Sequence, residues 1–125
     1  MTISDPKQVV HRVVEEVITE GRLGLIEELF TDQEAARARA WIAPFRQAFP
    51  DVRMEIVELV AEGELVAGRF RCSATHLGKW GDRAPTGRRF EDVDEVYFFT
   101  VTDGRVARMW GLEDTLERKR QLGLD

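Results

Sequence analysis

Apolar positions recur at helical spacing through the first half of the chain. Val9, Val10, Val13, Val14, Val17 and Ile18 fall on one stripe of a helix, while His11, Glu15, Glu16 and Glu20 point elsewhere. Ser4-Asp5-Pro6 places a capping residue and a first-turn proline ahead of that stripe, which predicts a helix from Pro6 to near Gly21. A short second helix is predicted over residues 23–30, with Leu25, Ile26, Leu29 and Phe30 apolar. Thr31-Asp32 caps a third, whose Ala38, Trp41, Ile42, Phe45 and Phe49 share a face and which stops before Pro50.

After Asp51 the period changes to two. Met54, Ile56 and Leu59-Val60, a turn at Glu62-Gly63, then Val66, Phe70 and Cys72 read as a hairpin. A loop over 76–87 precedes a second pair, 89–102 and 105–112, joined by Asp103-Gly104, a strong two-residue hairpin signal. A last helix spans Thr115–Leu122 and closes at Gly123. Helices followed by strands argue an α+β fold, with one face of a curved sheet wrapping the helices.

With Asp103 and Gly104 as the loop residues, Trp110 is predicted opposite Tyr97, Leu112 opposite Glu95 and Asp114 opposite Val93. One face then carries Phe99, Tyr97, Glu95, Trp110, Leu112 and Asp114, and the other carries Phe98, Val96, Ala107, Met109 and Gly111. A bulge anywhere in the pair would exchange the faces beyond it. Both faces are partly apolar, so one is predicted to be core and the other to be covered, most simply by a second copy of the chain.

The length of 125 residues fits a single domain, 1–125, burying about two-thirds of its unfolded surface. With 43% hydrophobic and 33% charged residues, the chain fits neither a disordered nor a membrane-spanning class. A net charge of −5, without a basic stripe interleaved with aromatics, argues against nucleic acid. One cysteine, Cys72, and residues 1–5 without a signal-peptide pattern make a reducing cytoplasm the expected location. No spacing of His, Cys, Asp or Glu suggests a metal site.

The mixed face is what a small-molecule pocket needs: apolar walls and a few polar groups to orient a ligand. Asp114 among Trp110, Leu112 and Val93 would be desolvated and could serve as a general base; it also precedes the last helix, where it would be an N-cap, and the two roles are compatible. Tyr97 and Trp110 read as pocket walls or as core. Glu95, flanked by Val93 and Tyr97, must lie near a cavity, a partner or the rim. His76 reads either as a proton donor at the pocket rim or as a loop histidine bonded to backbone.

The second half closely resembles the SnoaL-like polyketide cyclase family, within the cone-shaped superfamily that also holds ketosteroid isomerases and nuclear transport factor. The stretches are Ala48-Phe49-Pro50-Asp51-Val52, Ala61-Glu62-Gly63-Glu64-Leu65-Val66-Ala67, Ala74-Thr75-His76-Leu77-Gly78 and Ala84-Pro85-Thr86-Gly87-Arg88-Arg89. They continue with Asp103-Gly104-Arg105-Val106, Trp110 leading to Asp114, and Arg120-Gln121-Leu122-Gly123. The resemblance implies a cone-shaped α+β barrel, its N-terminal helices packed in a strongly bent antiparallel sheet, dimeric through the outer sheet face. It also implies ring closure of a polyketide by intramolecular aldol condensation, without metal or cofactor, with the acid/base aspartate at the position of Asp114.

Three features depart from the family pattern. The chain runs from Phe30 straight into the third helix, where members insert a longer pocket-lining segment; Met109 stands where histidine is frequent; and 89–102 holds no histidine to pair with the aspartate. The expected function is a cyclase or isomerase acting on a hydrophobic polycyclic or polyketide-like substrate, with Asp114 and His76 catalytic and Tyr97, Trp110, Glu95, Trp41 and Phe45 binding substrate. Hydroxylation or hydrolysis on the same scaffold, or a non-catalytic ligand-binding or dimerisation role, are the alternatives.

Overall fold

The computed structural model describes residues 5–124, so the Ser4 part of the predicted cap and the rest of the 1–4 stretch lie outside the described residues. Asp5 caps α1 (Pro6–Arg12) by accepting the Lys7 N–H. The predicted single helix has two geometries: after Arg12 it widens into a π-helical segment, Val13–Thr19. All six residues of the apolar stripe are buried. Arg46 donates to the carbonyls of Ile18 and Thr19, at 2.6 and 3.0 Å, and so satisfies the end of the widened segment.

A 3-10 turn, Leu23–Leu25, leads into the single turn of α2 (Ile26–Leu29). Phe30 leaves that turn extended and bridges Val106, and the Thr31 N–H donates to the Val106 carbonyl at 3.0 Å. These contacts deliver the chain to α3 (Asp32–Ala48) beside the last strand. At the far end of α3 the Ala48 carbonyl accepts the N–H groups of Leu77 and Gly78, which ties the 76–87 loop to the helix.

The strands are β1 (Arg53–Glu62), β2 (Leu65–Thr75), β3 (Arg89–Thr102) and β4 (Arg105–Glu113), antiparallel in the order β1-β2-β3-β4 and not closed into a barrel. Glu62 pairs with Leu65, so the first turn is Gly63-Glu64, one residue beyond the predicted position, with Gly63 at φ +59°. The second turn is Asp103-Gly104 as predicted, both residues at positive φ. Val66, Phe70, Cys72 and Ala74 of β2 and Val93, Glu95, Tyr97, Phe99 and Val101 of β3 face the helices and are buried. Register shifts in all three strand pairs bend the sheet around them.

One of those shifts overturns the predicted pairing of the last hairpin. Val101 pairs with Val106 but Thr100 pairs with Arg108, leaving Ala107 as an extra residue. Beyond it every partner moves by one: Phe98 faces Trp110, Tyr97 faces Gly111, Val96 faces Leu112 and Glu95 faces Glu113. A one-residue slip reverses the faces, so Trp110 and Leu112 lie on the outer surface, and Met109, Gly111 and Glu113 take the inner one. Trp110 is 54% exposed and packs edge-on against Phe98. α4 (Thr115–Leu122) follows, capped by Asp114 and closed by Gly123 in the left-handed conformation.

Candidate functional site

Two cavities open beside α3, one against the inner face of the last hairpin and the other against the 76–87 loop and α4. The first, of about 240 Å³, is walled by Phe30, Glu34, Ala38 and Trp41 on the helical side and by Tyr97, Met109, Gly111 and Glu113 on the sheet. The second, of about 520 Å³, is walled by Trp41 and Phe45 of α3, Lys79 and Trp80 of the loop, and Glu113, Thr115 and Arg118. Trp41 and Glu113 belong to both, so the two form neighbouring compartments of one cleft.

Behind the cleft is a charged cluster. Arg118, 1% exposed, donates from Nη2 to Glu95 and from Nη1 to Glu113, each at 2.6 Å. Its guanidinium sits over the rings of Phe45 and Phe90, 5.3 and 4.9 Å from their centroids. The Tyr97 hydroxyl donates to the other Glu95 oxygen at 2.6 Å. Burial and the facing Glu113 carboxylate push Glu95 above the usual carboxylate range, against the pull of Arg118 and of the Tyr97 hydroxyl. Burial, and then Glu95, raise Tyr97 and Cys72 as well. Burial alone would lower Arg118, but the two carboxylates outweigh it and hold the guanidinium charged.

Glu113 differs from its partners. Its side chain is 35% exposed, it lines both compartments, and among the described residues only Arg118 hydrogen-bonds it. One cation therefore serves two carboxylates, one sealed and one open to the cleft.

The sequence-predicted residues divide. Tyr97, Trp41 and Phe45 line the cleft, and Glu95 lies behind it. Trp110 stands on the opposite face of the sheet. Asp114 is exposed at the N-cap of α4, accepting the Glu117 N–H at 3.1 Å while its own N–H donates to the Asp94 carbonyl, and it lines neither compartment. His76 is buried between Phe49 and Trp80, where Nδ1 accepts the Thr86 N–H at 3.2 Å, and it too lies outside both linings. Burial pushes its pKa below the usual histidine range, against the Gly78 backbone.

Glu34, Glu113 and Arg118 are among the cleft residues that sequence reasoning missed. Arg118 had a readable signal: it lies one turn before Leu122 on the buried stripe of α4, an arginine where an apolar residue is expected. Glu113 had none short of the bulge at Ala107. Among the described residues no group of three or more His, Cys, Asp or Glu is placed to hold a metal ion, and no helix is long and apolar enough to cross a membrane.

The sequence pattern of SnoaL-like polyketide cyclases matches residues 8–122. The fold is similar to that of IdmH, a proposed polyketide cyclase from Streptomyces antibioticus, with a TM-score of 0.81 and 24% identity over 97% of this chain and 100% of the other. AclR, a proposed hydroxylase from Streptomyces galilaeus, superposes with a TM-score of 0.84 at 23% identity, covering 98% of this chain and 83% of its own. A SnoaL-like polyketide cyclase from Agrobacterium tumefaciens gives 0.81 at 19% identity, covering 96% and 99%. At these identities the structures speak for the fold alone. No curated protein matches the chain by sequence.

Proposed function

Because the chain belongs to the SnoaL-like polyketide cyclase family, we propose that it catalyses proton transfer at a carbon acid in a hydrophobic, polyketide-like substrate, with Glu113 as the acid/base and ring closure by aldol addition as the outcome. The observation that carries this reading is the placement of Glu113: a partly exposed carboxylate on both compartments, anchored through one oxygen to a buried arginine.

A C–H bond between two carbonyls is already acidic, so a carboxylate held in position is a sufficient base. The C–H electron pair delocalises as an enolate while the proton passes to Glu113. The enolate carbon then attacks a second carbonyl of the same molecule, forming the C–C bond, and the resulting alkoxide recovers the proton from Glu113. Arg118 keeps the carboxylate in place through both transfers. Trp41, Phe45 and Tyr97 supply apolar walls that hold the two carbonyl carbons together and exclude water.

Asp114, the residue that the family resemblance points to, supports this arrangement by capping α4 and so fixing the helix that carries Arg118. The variants Glu113→Gln and Asp114→Asn separate the two carboxylates on a panel of aryl β-ketoesters able to cyclise. Glu113→Gln is expected to lower turnover roughly 10²–10⁴-fold, and Asp114→Asn to change it by less than about tenfold with stability nearly unchanged, since asparagine caps a helix about as well as aspartate. Turnover that survives Glu113→Gln and vanishes with Asp114→Asn would transfer the role to Asp114.

A further inference from the structure

Arg118 carries one donor that its charged cluster does not use. Nη1 is bonded to Glu113 and Nη2 to Glu95, whereas the Nε–H is buried and meets no hydrogen-bond acceptor among the described residues. The other buried side-chain atom without a partner among them is Nε2 of His76, which belongs to neither compartment. A buried N–H without an acceptor is costly, and proteins rarely keep one that has no use. Arg118 is a wall of the larger compartment, beside Glu113, so its unused donor sits next to the group that takes the substrate proton.

The reaction assigned to Glu113 creates a need for such a donor. While the proton passes from carbon to the carboxylate, the C–H electron pair moves into the substrate and negative charge collects on the carbonyl oxygen of the forming enolate. The charge leaves Glu113 as it appears on that oxygen, so one guanidinium can neutralise it in both places without reorganising. A carboxylate on Nη1 and a carbonyl oxygen on Nε are held by the same rigid planar group, which sets base and oxyanion side by side. The group is itself fixed, because it lies over the Phe45 and Phe90 rings and Nη2 is bonded to Glu95, which the Tyr97 hydroxyl holds in turn. Lys79 lines the same compartment and makes no hydrogen bond or ion pair with any described residue, but it is exposed, so water screens its charge.

We propose that Arg118 is a catalytic residue as well as the anchor of Glu113: its Nε–H donates to the enolate oxygen of the substrate, which makes the larger compartment a subsite for a carbonyl oxygen that becomes an oxyanion. This rests on the reading that Glu113 removes a proton from carbon, and adds the group that receives the displaced charge.

A stable oxyanion tests the subsite without turnover. Glu113→Gln reproduces the uncharged side chain left after proton transfer, 4-nitrophenolate is an oxyanion on a flat conjugated body, and 4-nitroanisole is its uncharged counterpart. Both are titrated into the intact variant chain, verified as folded by its melting curve, at a pH where the phenol is ionised, following the Arg118 Nε–H resonance by NMR. The phenolate is expected to bind about tenfold more tightly than the anisole, as one charge-assisted hydrogen bond would give. It is also expected to move the Nε–H resonance downfield, while the anisole leaves it nearly unmoved. Lys79→Gln in the same background is expected to keep the preference. Equal affinities, an Nε–H resonance that the phenolate does not shift, or a preference that disappears with Lys79→Gln each overturns the proposal. Neither probe has an acidic C–H, so a failure here leaves the role of Glu113 standing. Full turnover by Glu113→Gln alongside an intact phenolate preference would instead remove that role and leave the oxyanion subsite.

Discussion

Gly111 is where the wall of the cleft is most sensitive to a single atom. A Cβ at this position would run into the Tyr97 ring, which lies across Gly111 from the paired strand. Gly111→Ala must therefore displace a rigid ring, and with it the hydroxyl that donates to Glu95. A loss of about 1–3 kcal/mol in denaturant unfolding is expected, as for other overpacked sites; unchanged stability would show that Tyr97 is free to move. His76 gives a pH signature. Its folded pKa is depressed by burial below its ordinary 6.5, so the folded state resists a proton that the unfolded chain accepts. Its contribution to stability is thus complete above the unfolded pKa and is lost as pH falls below it. Wild type minus His76→Gln should show stability falling between about pH 7 and pH 5; a flat difference would mean that His76 titrates normally. The sequence left this residue open between proton donor and bonded loop histidine, and the Thr86 N–H on Nδ1 matches the second reading.

Among the elements, the last hairpin decides what the cleft contains. Its turn was legible because Asp103-Gly104 meets a demand for positive φ that few residue pairs satisfy. The helices were legible from their caps and apolar stripes, since Asp5, Pro6 and Gly123 act locally. The extra residue at Ala107 was not legible: alanine carries no bulge signal, and both faces of the hairpin are apolar enough to accept either register. That is why Trp110 and Asp114 were placed inside and Glu113 was overlooked. Deleting Ala107 removes the bulge but leaves Arg108 opposite Thr100, Trp110 opposite Phe98 and Glu113 opposite Glu95, so the faces are kept. A loss of no more than about 3 kcal/mol is expected in thermal unfolding, the range of most single changes. A deletion variant that fails to fold would show that the bend made by the bulge is needed to seat the hairpin on the core.

At the scale of the whole molecule, the same slip that clears Trp110 from the cleft builds the outer surface. Phe98, Trp110, Val96 and Leu112 stand together there, exposed, with Leu65 close by. We propose that this face pairs two copies of the chain, since apolar area of this kind is usually covered. Sedimentation should give a dimer for the wild type and a monomer for Phe98→Asp with Trp110→Asp; a wild-type monomer at high concentration would contradict it. The cleft lies on the other side of the sheet, so pairing and catalysis are separable. The central claim, that Glu113 removes a proton from carbon, is tested most directly by deuterium exchange into an aryl β-ketoester that has no further carbonyl beyond the pair flanking the acidic carbon and so cannot cyclise. The account predicts exchange above the buffer rate with wild type and with Asp114→Asn, and none above it with Glu113→Gln. Exchange undiminished in Glu113→Gln would contradict it.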